Sequence, residues 1–179
     1  MIIYLFSVVA AIGLSGLAGW CDFKGMTIPN QIVVAVLVAF FTAYGVAYLS
    51  DTDIFASLKS HLAAGGIVFI ATFLMFVTKL IGGGDAKLIT AFSFWTGLGH
   101  LLVFLTYMIF SGAILGFVAL VIKKVKPFRR AAEGSWIYRL QNGEGLVPYG
   151  IPIAIGALVA FVEMDLLALE NLKLFLMPN

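Results

Sequence analysis

Apolar residues run along this chain in long unbroken blocks, not at the spacing of two that marks a half-buried strand or the one-sided stripe of a surface helix. Charge-free blocks lie at 1–21, 25–50, 62–78, 88–122 and 146–162. A helix crosses the hydrocarbon core with about 20 apolar residues at about 1.5 Å each. The block at 88–122 is too long for one crossing, and Trp95-Thr96-Gly97-Leu98-Gly99-His100 interrupts it with two glycines and polar side chains, which is a turn signal. Dividing it into 86–98 and 101–122 predicts an all-α integral membrane protein with six transmembrane helices. The piece at 86–98 is short, so it must tilt, start below the interface or sit among longer neighbours.

Composition agrees with the pattern. Of 179 residues, 62% are apolar and 11% charged, against about 45–50% and about 25% in soluble domains. Too few charges remain to solvate a surface, which excludes an ordinary soluble enzyme, a disordered protein and a nucleic-acid binder. The single cysteine, Cys21, excludes a disulfide framework and a four-cysteine zinc site.

The basic residues set an orientation. With both the N-terminus and the C-terminus outside, Lys24, Lys79, Lys87, Lys123, Lys124, Lys126, Arg129, Arg130 and Arg139 face the cytoplasm, and only Lys59 and Lys173 lie outside. A five-span chain would put the 123–130 cluster outside and fails the same rule. The first segment has no basic leader region and is long enough to span, so a retained helix is expected rather than a cleaved signal. The whole of 1–179 reads as one membrane-embedded domain. Its basic loop at 123–147, with Phe128, Trp136 and Tyr138, is expected to lie partly helical along the anionic inner leaflet. Its tail at 166–179 is expected to be interfacial, with a C-terminal helix. Small residues four apart, Ser15 with Gly19 and Gly112 with Gly116, suit close helix packing.

Ionisable residues at the border of an apolar span are costly and usually functional. Asp22 ends the first span, in Asp22-Phe23-Lys24-Gly25-Met26-Thr27-Ile28-Pro29-Asn30, and Asp85 opens the fourth, in Gly82-Gly83-Gly84-Asp85-Ala86-Lys87. Two helices separate them, so parity puts both on one side whatever the absolute orientation. With the basic residues inside, that side is cytoplasmic. Two carboxylates within a few ångströms of each other in a poorly hydrated site share one proton. The ionised member can draw a proton from water while the neutral one polarises a carbonyl, with no serine, cysteine, metal or cofactor. Gly82 and Gly84 leave room for a peptide backbone at Asp85, and the glycine run can adopt positive φ. Asp85 falls near the N-cap of its helix, Pro29 suits the first turn of the next, Asn30 offers an amide, and Lys87 is expected to reach for the interface. On residues alone, other readings stay open: interfacial or helix-capping acids, a proton-coupled carrier, or a structural pair. A divalent cation normally wants about six oxygen ligands, more than these two acids supply.

Gly82-x-Gly84-Asp85-x-Lys87, continued by Leu88-Ile89-Thr90-Ala91 and Trp95-x-Gly97, resembles the GxGDxK segment of bacterial type IV prepilin peptidases. Asp22 with Ile28-Pro29-Asn30 resembles their first aspartate motif, and Val147-Pro148-Tyr149-Gly150-Ile151-Pro152 resembles the start of their last span. The resemblance implies an intramembrane aspartyl endopeptidase of the inner membrane, acting on the cytoplasmic side. Asp22 and Asp85 would be its catalytic pair, and Gly82, Gly84, Lys87, Pro29 and Asn30 would shape the site. Its substrate would be a prepilin with a short basic leader ahead of an apolar helix; membrane lipids are the other partner, and no nucleic acid is implied. Longer members carry a methylase region between early spans, often with paired cysteines; this chain is similar to the compact tight-adherence (Flp-type) form without it. Archaeal preflagellin peptidases share the two-aspartate logic. From other classes, a proton-coupled carrier or a non-catalytic scaffold of a secretion system remains.

Overall fold

The computed structural model describes residues 1–127, 135–143, 145 and 147–174, and these form helices joined by short connections, with no strand among them. The elements are α1 (Ile2–Gly25), α2 (Asn30–Leu49), α3 (Leu58–Val77), α4 (Gly83–Val125), α5 (Trp136–Gln141), α6 (Gly150–Glu163) and α7 (Leu169–Leu174). Four of them, α1 to α4, are long and apolar enough to cross a membrane, and α6 is a shorter apolar helix. Phe128, Arg129 and Arg130 of the basic loop fall outside the described residues. Within the rest of that loop, α5 supplies a helical turn, and α7 places a helix in the tail.

At about 1.5 Å per residue a straight α4 of 43 residues would reach about 64 Å, roughly twice the hydrocarbon thickness. It is not straight. Gly97 has φ 56° and ψ −176°, a conformation essentially confined to glycine, and it lies inside the turn predicted at 95–100. The break interrupts the helical ladder between the Phe94 carbonyl and the Leu98 N–H. In an apolar setting both groups must find partners. The start of α3 supplies them: His61 Nδ1–H donates to the Phe94 oxygen at 2.8 Å, and Leu98 N–H donates to Ser60 Oγ at 3.0 Å. Side chains of α3 thus stand in for the missing turn.

The two arms of α4, 83–96 and 98–125, fold back on each other. The first begins beside Ile28 and Phe76. It reaches the opposite end at Trp95, which packs against Phe40, Phe55 and Phe161. The second returns, passing Tyr149 at Gly112 and meeting Phe23, Met26 and Trp136 around Ala119. Most of the first arm is buried, which explains how so short a segment fits: longer helices surround it. Trp95 Nε1–H donates to the Val36 carbonyl at 3.0 Å, and the Thr90 and Thr72 hydroxyls lie 3.2 Å apart, fastening it to α2 and α3. At the same end as Trp95, Tyr4 O–H donates to the Leu166 carbonyl at 2.9 Å and joins the start of α1 to the turn after α6.

Outward faces carry exposed Phe6, Val38, Phe73, Phe110 and Phe117, as expected where lipid replaces water. Small residues matter where α6 approaches α1: a Cβ on Gly19 would stand 3.4 Å from the Gly150 oxygen and the Ile151 Cα, whereas Gly116 faces open space. The chain order carries Lys24, Lys79, Lys87 and Lys123 to the end of the bundle where α1 and α3 finish and α4 begins, and Lys59 to the other. His61→Leu leaves the Phe94 carbonyl without its donor and should lower unfolding stability in detergent by about 1–3 kcal/mol; Gly97→Ala should cost a similar amount through backbone strain. Thermal or chemical unfolding of the purified protein measures both.

Candidate active site

Both border carboxylates lie at the end of the bundle marked by Lys24, Lys79 and Lys87. Asp22 sits in the last turn of α1. That turn closes because Met26 takes a left-handed conformation and its N–H returns to the Asp22 carbonyl at 2.8 Å. The Asp22 side chain points inward and is only 5% exposed. Its Oδ2 accepts the Gly150 N–H at 2.7 Å, so the opening of α6, whose first N–H groups lack partners within the helix, meets a carboxylate.

Asp85 is the third residue of α4, after Gly83 and Gly84. From there its carboxylate turns back toward Gly82, at the start of the helix. Gly82 itself holds the N-cap at φ −71° and ψ 150°. The expected positive φ in the glycine run is therefore not found: positive-φ glycines among the described residues are Gly97 and Gly143. What the run provides is close approach. A Cβ on Gly82 would lie 2.9 Å from Asp85 Oδ2, and one on Gly84 would lie 3.2 Å from the Ile28 Cβ.

The second contact matters most for geometry, because it seats the loop at 26–29, which follows Asp22, against the turn that presents Asp85. Lys87 Nζ adds a 3.0 Å hydrogen bond to Asn30 Oδ1 across the same junction. Lys87 is exposed, as an interfacial lysine should be, yet its ammonium is held by a partner. Pro29 precedes α2 as its N-cap, with φ −60° and ψ 136°, one place earlier than the expected first turn; the proline ring fixes φ in either position.

Asp22 and Asp85 lie close enough for their charges to act on each other. The backbones of the helices that carry them, α1 and α4, do not pack together; α2 and α6 each touch both. The two acids are thus carried by separate helices that share α2 and α6 as neighbours. No cluster of three His, Cys, Asp or Glu side chains suited to a metal ion forms among the described residues. A carboxylate pair of this kind, in a partly buried site, can divide the roles of proton donor and proton acceptor.

Gly150 has no counterpart in a reading of the acids alone. It stands 128 residues from Asp22, and its signal in the sequence is only a glycine opening an apolar span after Pro148 and Tyr149.

The model of the family described as "Type IV leader peptidase family" matches residues 8–117, a stretch that holds both aspartates. The chain belongs to the type IV leader peptidase family. A prepilin leader peptidase/N-methyltransferase of Bacillus subtilis (strain 168) is 27% identical to this family member over 157 residues, covering 85% of this chain. The chain spans 62% of the length of that relative. No solved structure matches it.

The Lys87–Asn30 bond is exposed, so the pair should contribute little to stability. A double-mutant cycle of Lys87→Ala and Asn30→Ala, read by unfolding in detergent, should give a coupling energy of no more than about 1 kcal/mol.

Proposed function

We propose that this leader peptidase family member is a membrane aspartyl endopeptidase that removes the short basic leader from prepilins. The observation that carries the reading is the meeting of Asp22 and Asp85 at one end of the bundle, near enough for their charges to interact, with an Asp22 oxygen held by the Gly150 N–H. In this mechanism the pair holds one proton between its two carboxyls. The ionised carboxylate takes a proton from a water as that water's oxygen attacks the scissile carbonyl carbon. The other carboxyl gives its proton to the carbonyl oxygen, and a tetrahedral diol forms. Collapse of the diol breaks the C–N bond, and the proton gained from water passes to the leaving amine. The cut yields a leader carboxylate and a pilin amine.

The gap between α1 and α4 gives the substrate backbone a place between the acids. Gly82 adds no side chain beside Asp85, Gly84 lets the Ile28 loop pack close to it, and Pro29, Asn30 and Lys87 hold that loop in register. Six crossings, made by α1, α2, α3, the two arms of α4 and α6, suit the up-and-down course of the chain. The lysines gathered at the carboxylate end support a site at the cytoplasmic face of the inner membrane, by the positive-inside rule. A prepilin cut there would enter with its leader in water and its apolar helix in the bilayer. The reading covers cleavage alone and does not extend to methylation.

Co-expression with a candidate prepilin, followed by the electrophoretic shift on leader loss, tests the proposal. Asp22→Asn and Asp85→Asn should each reduce processing by at least about 10²–10⁴-fold while the protein still inserts, because each removes half of the acid–base pair. Lys87→Ala should have a milder effect. Processing at the normal rate by either aspartate variant would point to a carrier or scaffold, and cleavage of preflagellin in place of prepilin to the archaeal type.

A further inference from the structure

We propose that Gly150 is a positioning residue for Asp22: its N–H holds Oδ2, which fixes the carboxylate's rotation toward Asp85, and its lack of a side chain is what lets α6 come that close. The inference rests on the leader peptidase reading for its catalytic meaning, but the clamp itself is a property of the fold.

Three observations meet at this point. The hydrogen bond is short, at 2.7 Å, and buried. A carboxylate that accepts a backbone N–H is the stronger kind of hydrogen-bonded pair, and here the donor opens a helix of 14 residues whose dipole favours an anion at that end. The site admits no larger residue. A Cβ on Gly150 would stand 2.9 Å from the Asp22 Cβ and 3.1 Å from the Ala18 carbonyl oxygen, both fixed by α1. Finally, α6 is itself anchored to the helix that bears Asp85. The ring and hydroxyl of Tyr149, its N-cap, lie 3.2 Å from where a Cβ on Gly112 would be, and a Cβ on Gly156 would stand 2.6 Å from the Phe104 carbonyl oxygen. Since the backbones of α1 and α4 stand apart while α6 packs on both, α6 is the strut through which α4 governs where the Asp22 carboxylate points.

Carbodiimide labelling reads the clamp without relying on catalysis. Dicyclohexylcarbodiimide attacks a protonated carboxyl, and an N–H donor favours the ionised form. In the full-length protein in lipid vesicles, Gly150→Ala should raise the labelling rate of Asp22, mapped by mass spectrometry, by roughly tenfold relative to Asp85 in the same molecules. Gly112→Ala, which pushes Tyr149 without touching Asp22, should raise the ratio in the same sense and by less. Gly97→Ala, at the other end of the bundle, should lower the unfolding temperature and leave the ratio unchanged. In the prepilin assay both site variants should lose kcat with KM retained. Should Gly150→Ala fail to fold, Gly112→Ala carries the test. Labelling ratios and kcat equal to wild type in the folded variants overturn the proposal. Wild-type protein that never cleaves prepilin overturns the peptidase reading instead, while the labelling ratio still decides the clamp.

Discussion

A backbone N–H or carbonyl, or a carboxylate, removed from water must have a partner close by, and this single demand shapes the molecule at both ends. At one end the helical ladder of α4 is cut at Gly97, and Ser60 and His61 of α3 satisfy the two ends of the broken bond. At the other end two carboxylates leave the aqueous edge; the opening of α6 supplies an N–H to Asp22, and Asp85 lies at the opening of its own helix. The first repair lets a continuous apolar segment double back into a hairpin. The second lets acids reside where few side chains can ionise. Without the hairpin the second arm of α4 and α6 would not return to the end where Asp22 waits.

The same demand accounts for histidine in a chain so poor in polar residues. His61 is buried among Phe40, Tyr44 and Phe55, a setting that invites a functional assignment. Its Nδ1 instead serves the Phe94 carbonyl, as a structural donor at the turn, and it stands at the opposite end from the carboxylates. Aromatic rings surround it on several sides and hold the turn at Gly97 in place.

Much of this was legible in the residues. Uninterrupted apolar blocks declare membrane helices without any periodicity, and the two glycines at 97 and 99 mark the reversal inside the longest block. Parity between Asp22 and Asp85 needs only a count of the intervening spans, so their shared end followed from the sequence. The limits are equally physical. The Ser60, His61 and Gly150 contacts join residues brought together by packing, and no local spacing announces them. Gly82, Gly83 and Gly84 look like a flexible turn, yet they adopt ordinary negative-φ geometry and are used for close approach, because the loop at Ile28 and the Asp85 carboxylate occupy the space that side chains would need. Lys87 was legible as an interfacial lysine, but its Asn30 partner depends on how α2 and α4 meet.

What makes the carboxylate pair useful is that it stands in a gap whose walls are fixed elsewhere. α2 seats the loop after Asp22 on the turn before Asp85, and α6 joins α1 to the second arm of α4, so the acids can meet although the backbones of their own helices stand apart. The pH dependence of single-turnover leader cleavage, measured with purified protein and prepilin in lipid vesicles, reads this arrangement most directly. If one carboxyl must be ionised and its neighbour protonated, the rate falls on both the acid and the alkaline side of an optimum. A rate that rises with pH to a plateau and stays there would show one titrating acid at work and contradict the shared-proton pair.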